Sequence, residues 1–424
     1  MQAGGRRPAV SARVASVGAP RGDQAGRDPP ELTRGAAGTG FAPAGRSGHV
    51  GSPLTSGARG ARVGRMRADD RLDEVYERLA VTGPEFDGWL SNHGPMAGDA
   101  LLRMGQAERV HAWLEAYARR LEPLPRPRWS ISEQDWREPL GDPGRLGDWL
   151  ALFACQVEER PWQELLAIWW PRLLPGGIAS ATHALIRTGH AVRALGEADT
   201  APRRAELAHA LGYWAARWQP LPRQQHPSGT SLAPAALRLL PRTTVPGGIR
   251  ERLAELGQVP GWPAAQARLR PVTEPGAVPA ALDDLVDTTV TRYASTAHQD
   301  PVMLVHASTA PRAARLALAA LPQEMWIPTY EQAWSIVAAI TALYAADEST
   351  RESAPESPTD GPTEEPIETL AETPPEGPTE TDIAAAVAEH GDEHAIKFTE
   401  VAIESHRRGN AASLPAARQA HRLI

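Results

Sequence analysis

The stretch TDIAAAVAEHGDEHAIKFTEVAIESHRR, residues 381–408, decides the fold. Its apolar residues recur three and four positions apart, the period of a helix with one buried face rather than the alternation of a strand. The same spacing returns in DDRLDEVYERLA, AERVHAWLEAYARRL, LGDWLALFACQVEER, PWQELLAIWWPRLL, GIASATHALIRTGHAVRAL, RRAELAHALGYWAARW and TYEQAWSIVAAITALYAA. Pro punctuates several of these runs, as at Pro95, Pro161 and Pro171. Strand-like runs are nearly lacking, and DPVMLVHAST (300–309) is the best of them. The expected fold class is all-α: a single irregular multi-helix domain. No helical repeat period recurs, so a solenoid is not expected.

Two stretches lack the apolar content to fold. Residues 1–65 are rich in Gly, Ala, Arg, Pro and Ser and cannot bury enough surface to offset ordering entropy. They are expected to be a disordered extension or an over-called start, since Met66 stands just before the first amphipathic run. Residues 347–382 form an acidic Pro/Thr/Glu-rich linker or insert. The expected helical domain is therefore 66–346 plus 383–424.

Composition excludes several function classes. The net charge of −7 owes much to that acidic insert, and no dense basic patch points to nucleic acid. A single cysteine, Cys155, rules out an internal disulfide and any Cys-rich metal site. Its setting, ALFACQVEE, reads as a buried helix face. No apolar run is long enough to span a bilayer, and no apolar segment follows Arg6 and Arg7 to make a secretory signal, so a cytoplasmic location is expected. GAAGTG (35–40) follows no strand and fails as a dinucleotide loop. Most of the 13 tryptophans, including Trp113, Trp149, Trp162, Trp214 and Trp334, sit on helix faces and read as core, with a few available to line an apolar pocket.

Within the opening stretch, HAIKF (394–398) holds the chain's one lysine, Lys397, against 43 arginines. Only a lysine amine can be deprotonated, attack a carbonyl or take up CO2. A solvated lysine that survived drift to Arg is the plain alternative. His394 lies three residues before Lys397, on the same helix face, with Asp392 near enough to orient its imidazole. His93, in SNHGPM, stands where Asn92 or Ser91 can cap a helix. His183, Arg187 and His190 share one face of ATHALIRTGHAVRAL, and a polar stripe there is costly unless satisfied. His306 interrupts the apolar run VMLVHAST. Each alone reads as a hydrogen-bonded core residue. Together they suggest a histidine metal site inside a helical protein, where a lysine carbamate would supply the anionic oxygen ligand.

At these residues the sequence resembles the questin oxidase-like family. The resemblance rests on NHGPM (92–96), GGIASATHALIRTGHAVRAL (176–195), VMLVHAST (302–309) and DEHAIKFTE (392–400). It implies a non-haem iron oxygenase that opens the quinone ring of polycyclic aromatic polyketides such as anthraquinones in a Baeyer–Villiger-like oxidation. The implied substrates are a small aromatic compound and O2, with NADPH as electron donor and neither nucleic acid nor membrane as partner. The implied iron ligands are His93, His183, His306, His394 and a carboxylated Lys397. His190 and Arg187 are assigned to substrate contact or support of the ligands, as catalytic candidates. Two other readings stay open: a zinc or manganese hydrolase with a carboxylated lysine, and a non-enzymatic helical binding protein with a buried His/Lys network.

Overall fold

The computed structural model describes residues 68–243, 246–346 and 378–424. Among these it has 16 α-helices. The first seven are α1 (Ala68–Leu79), α2 (Gly94–Arg103), α3 (Ala107–Ala118), α4 (Leu146–Glu159), α5 (Trp162–Leu173), α6 (His183–Glu197) and α7 (Ala201–Arg217). Shorter helices α8 (Ala233–Arg238), α9 (Ile249–Leu256) and α10 (Trp262–Gln266) lead to α11 (Val278–Thr296), α12 (Pro301–Ala317) and α13 (Trp326–Tyr344). The chain closes with α14 (Glu380–His390), α15 (Glu393–Arg407) and α16 (Ser413–Leu423). The sheet content is one antiparallel hairpin, Glu85–Phe86 with Leu90–Ser91. The fold is all-α, as the periodicity predicts.

Four sequence expectations need correction. DPVMLVHAST is not a strand but the start of α12, opened by Pro301. Its residues from Leu304 to Pro311 are all buried, and a helix covered on all sides loses the polar stripe that reveals its period. Cys155 is exposed rather than core: the inward stripe of α4 runs through Trp149, Leu150, Phe153 and Val157 and leaves the thiol outside. The run 177–195 is not one helix, because α6 begins only at His183. The acidic linker ends earlier than residue 382, since Thr379 and Asp382 form a reciprocal capping box that starts α14. The remainder of that linker, and the extension 1–65, lie outside the described residues.

The core is organised around α6, α12 and α13. From Gln332 to Tyr344, α13 is buried throughout. Helices α6 and α12 run in the same direction and approach closely at Gly189, where a Cβ would stand 2.7 Å from the Ala313 backbone. That approach also sets His183 of one helix beside His306 of the other. Trp149, Trp162, Trp214 and Trp334 are buried core as expected, whereas Trp113 is half-buried. No described helix is long and apolar enough to cross a membrane.

Candidate metal centre

Three helices start at one place, and each delivers a histidine there. His93 is the residue that precedes α2. Asn92 fixes this turn: its Oδ1 accepts from the Gly94 amide (2.9 Å) and its Nδ2 donates to the Gly83 carbonyl (3.0 Å). At Gly94 a Cβ would lie 2.8 Å from Leu79 Cδ1, so a larger residue would displace that side chain. The His93 amide donates to the Tyr117 hydroxyl at 2.6 Å.

His183 is the first residue of α6 and follows an unusual turn. Ser180, Ala181 and Thr182 have φ of 49°, 52° and 71°, three successive non-glycine residues in the left-handed region. Each costs roughly 1–3 kcal/mol, a strain that persists only where the surroundings enforce it. The turn places the Ser180 carbonyl 2.5 Å from His183 Nδ1.

The third helix is α15. Gly391, with φ of 82°, ends α14, and Asp392 caps α15 by accepting from the amides of His394 (2.8 Å) and Ala395 (3.1 Å). His394 is thereby the second residue of its helix and Lys397 the fifth. His306 arrives from the side, on the second turn of α12.

The side chains converge. Ligand atoms of His93, His183 and His394 all lie within 4.8 Å of one another, a group able to hold a metal ion. His306 Nε2 stands 3.1 Å from His183 Nε2. The His93 and His183 rings stack at 4.4 Å, and His394 meets His93 edge-on at 4.4 Å. His93 Nδ1 faces Glu393 Oε1 at 3.5 Å and His394 Nδ1 faces Asp392 Oδ1 at 3.7 Å, while the Met303 backbone flanks the His306 ring. Oxygens on the Nδ1 side leave Nε2 for the centre, the usual arrangement around metal-ligating imidazoles. Two imidazole ligands at right angles on one ion would stand about 3 Å apart, given bonds near 2.1 Å.

Electrostatics keeps the imidazoles uncharged. Burial, then Lys397 and the neighbouring imidazoles, push His93 and His183 well below the ordinary histidine range. His306 is lowered likewise, by burial, His183 and Lys397. His394 is lowered by burial, with the Asp392 hydrogen bond partly offsetting it. Burial brings Lys397 down to about 8 against the opposing pull of Glu393 and Asp392. Its Nζ is buried with no hydrogen-bond partner. Neutral imidazoles held by four segments are donors of the kind a metal ion takes, and an unpartnered amine is buried near them.

Arg187 and His190 are not part of this convergence. Arg187 forms a buried pair with Glu206 of α7, Nε at 2.5 Å and Nη2 at 2.7 Å, and Glu206 holds the guanidinium protonated against burial. His190 Nδ1 meets Asp99 Oδ2 at 2.8 Å. That carboxylate also accepts from Arg193 (2.5 Å) and Arg103 (2.8 Å), and Arg193 reaches Glu400 at 2.6 Å. Burial pulls Asp99 up, but Arg193, the His190 hydrogen bond and Arg103 outweigh it and hold it well below the carboxylate range. A polar layer thus lies two turns beyond the histidines along α2, α6 and α15. Sequence reading missed Asp99, Glu206, Glu393 and Glu400. Asp99 alone left a signal, one carboxylate in the apolar run PMAGDALL.

A cavity of about 520 Å³ lies among Ser231, Leu232, Arg270, Val272 and Tyr330, and no site residue lines it. His93, His306 and Lys397 are 4%, 1% and 1% exposed, while the His394 side chain keeps 13% of its surface open. No protein-family model matches the sequence, and no curated protein matches it.

Proposed function

We propose that the chain is an oxidoreductase, a non-haem iron oxygenase whose metal is held by His93, His183, His306, His394 and the carbamate of Lys397. The observation that carries this reading is the buried amine of Lys397, which has no partner and lies among four neutral imidazoles. As a neutral amine it attacks CO2, forming the N–C bond and releasing one proton, and the product is an anionic oxygen donor that Arg cannot provide. Iron, when bound, would supply the activation of O2 toward an electron-rich ring.

The chain's own residues do the rest. The Ser180 carbonyl, Asp392 and Glu393 fix the imidazole orientations, and the N-termini of α2, α6 and α15 favour the carbamate's negative charge. Arg187 and His190, each anchored by a buried carboxylate, are in place to support the α6 ligand from the next turns. The resemblance in NHGPM, ATHALIRTGH and DEHAIKFTE supports a polycyclic aromatic polyketide as substrate, cleaved in a Baeyer–Villiger-like oxidation with NADPH as reductant. Oxygen uptake by the iron-loaded protein with reduced hydroxyanthraquinones tests this reading: substrate-dependent uptake is expected, and its absence with every member of that class would refute the substrate assignment.

A further inference from the structure

Helix α3 carries none of the converging residues, yet one of its faces touches both segments that bring them together. Trp113 and Tyr117 stand at i and i+4 on that face, and Arg120 follows in the turn just past the helix end. Trp113 Nε1 donates to the carbonyl of Gly391, the left-handed residue joining α14 to α15, at 2.8 Å. The Trp113 and Tyr117 rings stack at 4.9 Å, and the Tyr117 hydroxyl accepts from the His93 amide at 2.6 Å. The Arg120 guanidinium lies 4.4 Å above the Tyr117 ring and donates to Glu393 Oε2 at 3.1 Å. The other oxygen of Glu393 faces His93 Nδ1 at 3.5 Å. That nitrogen is buried and makes no hydrogen bond, the Glu393 oxygen standing at the outer edge of reach.

We propose that Glu393, held from outside by Arg120, is the positioning residue that fixes the tautomer and orientation of the His93 ring, so that Nε2 is turned to the centre. The tether acts on one histidine from two sides: Tyr117 holds its main chain and Glu393 its ring. Arg120 is half-exposed while Glu393 is only 12% exposed, so the carboxylate lies mostly inside and its arginine partner mostly at the surface. A carboxylate on the far nitrogen of a ligating imidazole raises its basicity and restricts its rotation, and loss of such a partner typically weakens metal affinity about 10–100-fold. Glu393 is the neighbour of His394 in sequence, so the same turn that delivers one ligand also orients a ligand on another helix.

The inference rests on the metal reading only for its second readout. The first is the ring tautomer of His93 in the metal-free full chain, from long-range proton–nitrogen NMR of the 15N-labelled protein. The wild type is expected to carry the proton on Nδ1. Glu393→Ala is expected to release it to a mixture or to Nε2, while Glu393→Gln, which keeps an acceptor oxygen, retains the wild-type form. Arg120→Ala, outside the core, is expected to move the balance the same way as the alanine variant but less, and it serves if Glu393→Ala does not fold. The second readout is loss of Fe(II) to a chelator, expected about tenfold faster or more in Glu393→Ala and closer to wild type in Glu393→Gln. An unchanged His93 tautomer in both Glu393→Ala and Arg120→Ala, or a glutamine variant as altered as the alanine one, overturns the proposal. If the tautomer results hold while the wild type binds no iron, the inference stands and the proposed function falls.

Discussion

Lys397 is legible from composition alone, because one lysine among 43 arginines calls for a reason that charge does not give. The structure supplies surroundings consistent with one: burial, no partner for Nζ, and four imidazoles held neutral around it. His209 shows how a buried histidine outside that group behaves. Burial, then the nearby Arg187 guanidinium, lowers it to about 3, well under the 6.5 of an unfolded chain. Below about pH 6.5 the unfolded state therefore binds a proton that the native state refuses, and stability falls as pH drops toward 3. A His209→Gln variant should flatten that fall by one proton, about 1.4 kcal/mol per pH unit between pH 6 and 4. Denaturant titrations of both proteins across that range measure the difference, and identical slopes would contradict the assignment.

The helices themselves could be read from spacing, and so could their faces; the junctions could not. Periodicity carries no mark for a turn such as Ser180–Thr182, where three ordinary residues take left-handed conformations because packing around His183 imposes them. DPVMLVHAST reads as strand for a related reason, since burial on every side erases the polar stripe of α12. The buried carboxylates Glu206 and Glu400 are equally hidden, because charged residues in a helical sequence look solvated until their arginine partners from other helices are known. The strained turn gives a test with an unusual sign. Ala181→Gly removes the steric penalty of φ 52° and should change stability by less than about 1 kcal/mol, or raise it, despite the residue's burial. Ala191→Gly, at a buried position inside α6, should lower stability by about 1 kcal/mol or more. Equal losses in chemical denaturation would mean that the turn is not strained.

At the scale of the molecule, the all-α class follows from the sequence, but the parallel alignment of three helix starts on one point does not. It depends on close approaches, at Gly94 against Leu79 and at Gly189 against Ala313, that spacing cannot disclose. Residues 93, 183, 306 and 394 meet from segments spread along the chain, and a polar layer of Asp99, His190, Arg193 and Glu400 braces α2, α6 and α15 two turns away. The fold thus serves as a scaffold for one buried histidine cluster, and the proposed function turns on what that cluster holds. Elemental analysis of the purified full chain, beside Lys397→Arg, tests this most directly. The account predicts about one iron per chain in the wild type and its loss in the arginine variant, which keeps the charge but cannot form a carbamate. A wild type without iron, or a Lys397→Arg protein that retains iron fully, would contradict it.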